Sequence, residues 1–318
     1  MQPAFVYCPE FDFTLPREEG QALASLHRFD GQRASRAWTL LDGEELPSSC
    51  WLEPGPVDPA DLSRVHDSAY LASLGNPEVL AEVIEVPEAA EAPPELLEEV
   101  LLQPMRHACE GTRLAVDAAL EGGLVVHLSG GYHHAKRERG EGFCAWSDLA
   151  LGVDRARTRH DLERILVIDL DAHQGNGVGS IFAGDPGVTV FDVYNADIWP
   201  QDEAARAGID HEFRLSSGTT GSTYLGLLRR ELPPVLDDLR PELVLYNAGT
   251  DIVAGDPLGE LSVAFEDVEA RDRLVVEECA SRGLPLVTLA SGGYTEDSHR
   301  LLASLACFVR DRWLQPMR

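Results

Sequence analysis

Residues 165–177 read ILVIDLDAHQGNG. The opening run, Ile165–Asp169, is rich in Ile, Leu and Val and lacks polar alternation. Such a run fits a strand buried on both faces, as in parallel sheets covered by helices. The strand passes directly into carboxylates, an imidazole, glycine and asparagine. Open parallel sheets bind ligands at the carboxyl ends of their strands. This stretch therefore sets reactive residues where an α/β protein builds a site.

Five further runs have the same character: Ala4–Tyr7, Leu124–Leu128, Val188–Val193, Leu243–Tyr246 and Leu286–Leu289. Amphipathic stretches separate them. Glu95–Glu121 is the longest, and Pro104 predicts a kink or split within it. Tyr224–Leu239, Phe265–Ser281 and Thr295–Arg310 read similarly. The alternation predicts a parallel sheet with helices on both sides. Val86–Glu95, rich in Pro, Glu and Ala, predicts a surface loop. A domain boundary there is weighed against the position of the reactive residues, which all follow it and need the first part for a closed core. The reading is one domain over residues 1–318.

Composition narrows the function. No stretch reaches about 18 uninterrupted apolar residues, so no membrane span is expected. The opening MQPAFVYCPEFDF lacks a basic segment followed by a long apolar run, which predicts no secretion signal and a cytoplasmic protein. Cys8, Cys50, Cys109, Cys144, Cys279 and Cys307 form no C-x-x-C pair and no structural zinc spacing, so reduced, mostly buried thiols are expected. The net charge of −28 disfavours nucleic acid and anionic membranes as partners. It suits cationic substrates such as lysine-rich peptides or polyamines, or serves solubility alone. Lys136 is the only lysine; the scarcity is attributed to coding bias.

Four of the runs end in reactive or glycine-rich sequence: SGGYHHAKRERGEGFCAW after Leu128, DLDAHQGNG after Ile168, NAGTD after Tyr246 and ASGGY after Leu289. On one sheet edge these endings converge. Asp171 and His173, two apart in extended chain, point to the same side. Asp251 offers a second carboxylate. Two carboxylates and one imidazole suit a divalent metal with an open position; zinc is the first choice and iron(II) is compatible. Adjacent residues rarely share a face, so His133 and His134 read as two separate groups on a pocket wall. One takes a proton from water and the other gives electrostatic support, with Asp169 and Asn176 as partners for their second ring nitrogens. Tyr294, after Gly292-Gly293, is a candidate donor to an oxyanion. Phe143 is a candidate apolar wall. Cys144 is weighed as a nucleophile or a ligand and disfavoured, because the metal site already supplies the chemistry.

Together, GGYHHAKRERGEGFC, DLDAHQGNG, NAGTDIVAGDPLG and SGGY resemble the zinc-dependent histone deacetylases and their bacterial relatives. VYCPEFDF, LHRFDG, RVHDSAYL and DVYN are similar to the class IV branch, and the similarity runs from about Phe5 to the last helix. The resemblance implies an arginase/deacetylase α/β fold with a central parallel sheet of about eight strands. It implies one zinc per chain on Asp171, His173 and Asp251, and a potassium site to which Asp169 and Asp192 contribute. It makes His134 the general base and acid, beside Asn176 where class I enzymes carry aspartate. It makes His133 the electrostatic companion, paired with Asp169, and Tyr294 the carbonyl-polarising group. Gly142 and Phe143 match one wall of an acyl-lysine channel and Trp199 the other. The rim aspartate of class I enzymes has no counterpart legible in the sequence.

The implied reaction is hydrolysis of N-acyl-lysine, acetyl or longer, in proteins or peptides; an acetylpolyamine is the alternative substrate. A two-manganese ureohydrolase of the arginase type is disfavoured. No second aspartate stands two residues from Asp251, and Asn176 takes the place of an acid. A non-catalytic acyl-lysine reader is disfavoured because every catalytic position is filled. Oligomeric state is not legible.

Overall fold

A computed structural model describes residues 2–13 and 30–314. Eight strands form one sheet: β1 (Gln2–Val6), β2 (Trp51–Leu52), β3 (Gly123–His127), β4 (Ile165–Asp169), β5 (Val188–Asn195), β6 (His211–Leu215), β7 (Leu243–Asn247) and β8 (Leu286–Leu289). Their order is β2-β1-β3-β8-β7-β4-β5-β6 and every pairing is parallel. The arginase/deacetylase architecture expected from the resemblance is present.

The larger flanking helices among the described residues are α1 (Arg33–Leu40), α2 (Gln103–Gly122), α3 (Asp148–His160), α4 (Asn176–Phe182), α5 (Gly221–Leu239), α6 (Phe265–Ser281) and α7 (Ser298–Trp313), besides short α-helices and 3-10 turns over residues 43–97. The long element expected over Glu95–Glu121 is interrupted as Pro104 foretold. A π turn at Glu98–Leu102 runs directly into α2, so the missing N–H of Pro104 falls where the helical path changes from π to α. Val86–Glu95 departs from the expected loop. It folds as a 3-10 turn at Pro87–Glu91 with Val86 and Ala89 buried, because its apolar side chains reach the core. Of the LHRFDG segment, residues 26–29 lie outside the described residues.

The two strands the sequence reading omits, β2 and β6, are the two edges of the sheet. An edge strand is not covered on both sides, so it does not read as a continuous apolar run. β6, HEFRL, is only partly buried along most of its length, and β2 is two residues long.

One feature of the order positions the site. β3, β8, β7 and β4 are consecutive neighbours, although they are distant in the chain. These are the four strands with reactive endings. Their registers align Asp169 with Asn247, and Asn247 with Leu289, so the endings leave the sheet at one level. Among the described residues no helix is long and apolar enough to cross a membrane.

Candidate metal centre and histidine wall

At this edge Asp171, His173 and Asp251 come together, each offering a ligand atom within 4.8 Å of the others, all three buried. His173 Nδ1 lies 3.0 Å from Asp171 Oδ1 and 3.0 Å from Asp251 Oδ2. Backbone donors aim the carboxylates: Ala172 N donates to Asp251 Oδ1 at 2.8 Å, and Gly292 N donates to Asp171 Oδ2 at 2.8 Å. Ser291 Oγ adds a bond to the same oxygen at 2.7 Å. The SGGY turn owes its glycine to this approach. A Cβ on Gly292 would lie 2.4 Å from Asp251 Oδ2 and 2.6 Å from Asp171 Oδ2.

The donor set fits a divalent cation. Burial and the neighbouring Asp171 charge push the Asp251 carboxyl up to about 7. Burial opposes protonation of His173, but the two carboxylates in turn push it up to about 10, so without a cation a proton stands between them where a divalent ion would sit. Two carboxylates and an imidazole are ligands that zinc accepts with a position left open.

The histidines stand against this cluster with unequal partners. His133 Nδ1 lies 2.8 Å from Asp169 Oδ2, and its Nε2 lies 3.7 Å from Asp171 Oδ1. Burial opposes its protonation, but the Asp169 and Asp171 charges outweigh that and push it up to about 9. His134 Nδ1 lies 2.8 Å from Asn176 Oδ1. Burial, followed by the cationic tendency of His133 and His173, holds His134 well below the usual histidine range. One imidazole is poised charged and the other neutral. Helix α4 fixes this geometry, since Asn176 is its first residue and Val178 N donates to His133 O at 3.1 Å.

Tyr294 is placed by its backbone, whose N donates to Asp256 Oδ2 at 2.8 Å. Its ring meets that of His173 edge-on at 6.3 Å. Burial, then the Asp251 and Asp171 charges, push its phenol well above the usual range, so it stays protonated and able to donate. Phe143 and Trp199 line the same cleft, and Trp199 packs edge-on against His134 at 4.7 Å. Gly142 has φ +57°, and a Cβ there would meet His134 at 2.4 Å and Trp199 at 2.7 Å. Asp192 faces Asp169 across the β4–β5 pairing. Its Oδ2 accepts from Gly175 N, while its buried Oδ1 has no donor among the described residues.

Three residues of the site escaped the sequence reading. Glu85, in the left-handed region at φ +57°, lies on the cleft mouth with Asp197 and Glu260. It is the candidate for the rim acid left unplaced, and its sequence context carries no motif. Arg33, on α1, donates to the carbonyls of Ser291 and Gly292, so it braces the SGGY turn from behind. Glu141 contacts Asn176. No signal in the sequence singles out Arg33. Glu141 stood inside a quoted motif but without an assigned partner.

A parallel α/β sheet with a carboxylate–imidazole–carboxylate cluster at its carboxyl edge places the chain among α/β proteins that carry a candidate metal site at their strand ends. The comparisons are more particular. Residues 27–308 match the histone deacetylase domain family, and the chain belongs to that family. It is 37% identical over 301 residues to histone deacetylase 2 of Arabidopsis thaliana, covering 94% of this chain and 76% of the relative. It is 28% identical over 303 residues to the human polyamine deacetylase HDAC10, covering 87% of this chain and 43% of the relative. The crystal structure of the HDA15 HD domain superposes with a TM-score of 0.74 at 18% identity, covering 97% of this chain and 88% of that one. It supports the fold. The chain is thus of a histone deacetylase-like hydrolase family.

Proposed function

We propose that this protein is a zinc-dependent lysine deacylase, a single catalytic domain over residues 1–318, hydrolysing the amide of N-acyl-lysine in proteins or peptides. One observation carries the reading. His134, kept neutral with Nδ1 on Asn176, stands beside the Asp171–His173–Asp251 cluster and against the channel residue Trp199. A zinc bound by those three ligands supplies Lewis acidity and brings the pKa of water toward ~7. His134 Nε2 accepts the proton of the attacking water and returns it to the leaving amine. His133, charged and held by Asp169, offsets the negative charge that develops. The Tyr294 hydroxyl donates to the oxyanion. Phe143 and Trp199 flank the lysine stem, and Glu85 at the mouth accepts from the substrate backbone. The pairing of Asp192 with Asp169, with one orphaned carboxylate oxygen, supports a potassium ion beside the zinc site.

A cavity of about 50 Å³ that His133, His134 and Tyr294 line together with Phe11, Phe13 and Leu128 gives the acyl group an apolar place beside the histidines, and the reading takes acetyl or longer chains. VYCPEFDF and DVYN support the class IV placement. The acids Glu85, Asp197 and Glu260 at the mouth favour a cationic carrier. An acyl-chain series on one lysine peptide, run beside an acetylpolyamine with the metal content measured, tests the proposal. One zinc per chain and chelator-sensitive release from the peptide are expected. Turnover of the polyamine alone, no turnover at all, or two manganese ions per chain would each overturn it.

A further inference from the structure

An amide beside a histidine base supports a protonated ring less than a carboxylate does, and Asn176 looks like such a loss. The next side chain changes that. Asn176 Nδ2 donates to Glu141 Oε1 at 2.5 Å, while Asn176 Oδ1 accepts from His134 Nδ1 at 2.8 Å. Glu141 directly precedes Gly142 and Phe143, and it is held from two sides. Arg139 Nε donates to Oε2 at 3.1 Å, and Lys136 Nζ lies 3.2 Å from Oε1. Lys136, the only lysine of the chain, is buried and also pairs with Asp202 Oδ2 at 2.5 Å. Asp202 in turn accepts from the N–H groups of Ala204 and Ala205. A continuous polar chain thus runs from the imidazole outward through Asn176, Glu141 and Lys136 to Asp202.

The chemistry of these groups dictates a direction. An asparagine amide fits a site in either of two orientations, and only its partners decide between them. An ionised carboxylate accepts and cannot donate, so Glu141 compels Nδ2 to face it and Oδ1 to face His134. His134 then carries its hydrogen on Nδ1 and keeps the Nε2 lone pair for the reaction. Hydrogen bonds in series also polarise one another. The anion on one side of the amide therefore increases the negative character of the carbonyl on the other.

We propose that Glu141 is a positioning residue for the histidine base: it fixes the Asn176 amide and supplies, one residue further out, the anion that an aspartate partner would place directly on the imidazole. The proposal rests on the deacylase reading for what His134 does, but its geometry is independent of it.

An exchange of the two groups is the test. Asn176→Asp brings two carboxylates into contact and should lower kcat/KM by about 10²-fold, the weight of a general base. Glu141→Gln lets the amide turn over and should lower kcat by about tenfold with KM unchanged, as loss of an orienting partner does. The double variant restores one carboxylate, now on the imidazole, and one amide donor behind it. It should return to within about threefold of the original, a strongly non-additive cycle. Zinc content and thermal midpoint are measured for all four proteins, so that unfolding or metal loss is not read as chemistry.

A second readout needs no turnover. In side-chain amide NMR spectra, one Nδ2 proton of Asn176 should be shifted strongly downfield and exchange slowly, and Glu141→Gln should abolish both. A double variant no better than the worse single variant, or an Asn176 amide signal unchanged by Glu141→Gln, would overturn the proposal. A wild-type protein that turns over no acyl substrate overturns the deacylase reading instead, and the NMR result still decides the role of Glu141.

Discussion

At Gly142 there is no room for a side chain. A Cβ would sit 2.4 Å from His134 Cδ2 and 2.7 Å from Trp199 Cη2, on a backbone with φ +57°. Gly142→Ala should therefore displace the imidazole or the indole and lower kcat/KM while the protein remains folded; an unchanged kcat/KM would show that neither ring needs its position. Tyr294 carries the sharper expectation. Its phenol is kept protonated by burial and by the Asp251 and Asp171 charges. Tyr294→Phe should reduce turnover by ~10²–10³, the weight of one oxyanion donor, with zinc content unchanged. Steady-state kinetics beside metal analysis separates that outcome from loss of the ion. At this scale the sequence was informative wherever a residue acts through its own chemistry. Asp171, His173 and Asp251 meet at one sheet edge, as the strand endings foretold. Glu141 and Glu85 were opaque because their place depends on partners distant in the chain, Asn176 in one case and the mouth of the cleft in the other.

Among the elements, helix α6 does more than cover the sheet. Arg271, fully buried, donates to Leu170 O at 3.0 Å and to Gly249 O at 2.6 Å, and pairs with Asp272, which also accepts from Tyr246 Oη at 2.5 Å. Leu170 immediately precedes Asp171, and Gly249 stands two residues before Asp251. One guanidinium thus ties together the two loops that carry Asp171 and Asp251, the carboxylates of the candidate metal centre. Arg271→Leu should cost about 3–5 kcal/mol, because it leaves Asp272 as an unpaired buried charge. Under the proposed zinc reading it should also weaken zinc binding by roughly 10–100-fold, through loss of orientation of Asp171 and Asp251. Urea unfolding and zinc competition against a chelator read the two effects, and a variant with unaltered zinc affinity would deny α6 this orienting role. The sequence disclosed that Phe265–Ser281 is a helix but not that its arginine faces inward. A periodic pattern identifies the apolar face and is silent about a charge that is buried because backbone carbonyls receive it. The same limit explains β2 and β6, whose half-covered positions at the sheet edges lack the continuous apolar run that marked the strands between them.

For the molecule as a whole, the loop that carries the histidine pair is tied down by two further histidines buried neutral. His127 Nε2 donates to Ala108 O at 3.0 Å, and its Nδ1 accepts from Ser129 N at 3.0 Å. His66 Nδ1 donates to Lys136 O at 2.8 Å, and its Nε2 accepts from Ser147 N at 3.0 Å. In each ring a second proton would have to face an N–H donor inside the core. Burial accordingly lowers both groups to about 4. The sign follows from linkage. Between about pH 6.5 and 4 the unfolded chain takes up protons that the native state refuses, so stability falls on acidification through that window and the loss is complete below about 4. For one group the full shift corresponds to a loss on the order of 3 kcal/mol. Relief of the −28 net charge acts in the opposite direction, so the bare pH profile mixes the two. The variant His127→Gln separates them, since glutamine offers one donor and one acceptor and does not titrate. Urea unfolding across pH 4–7 should find wild type losing more stability than the variant on acidification, although it is the more stable of the two at pH 7. Parallel profiles would mean that His127 is protonated in the native state without penalty, and that the brace on the SGGYHH loop survives acid.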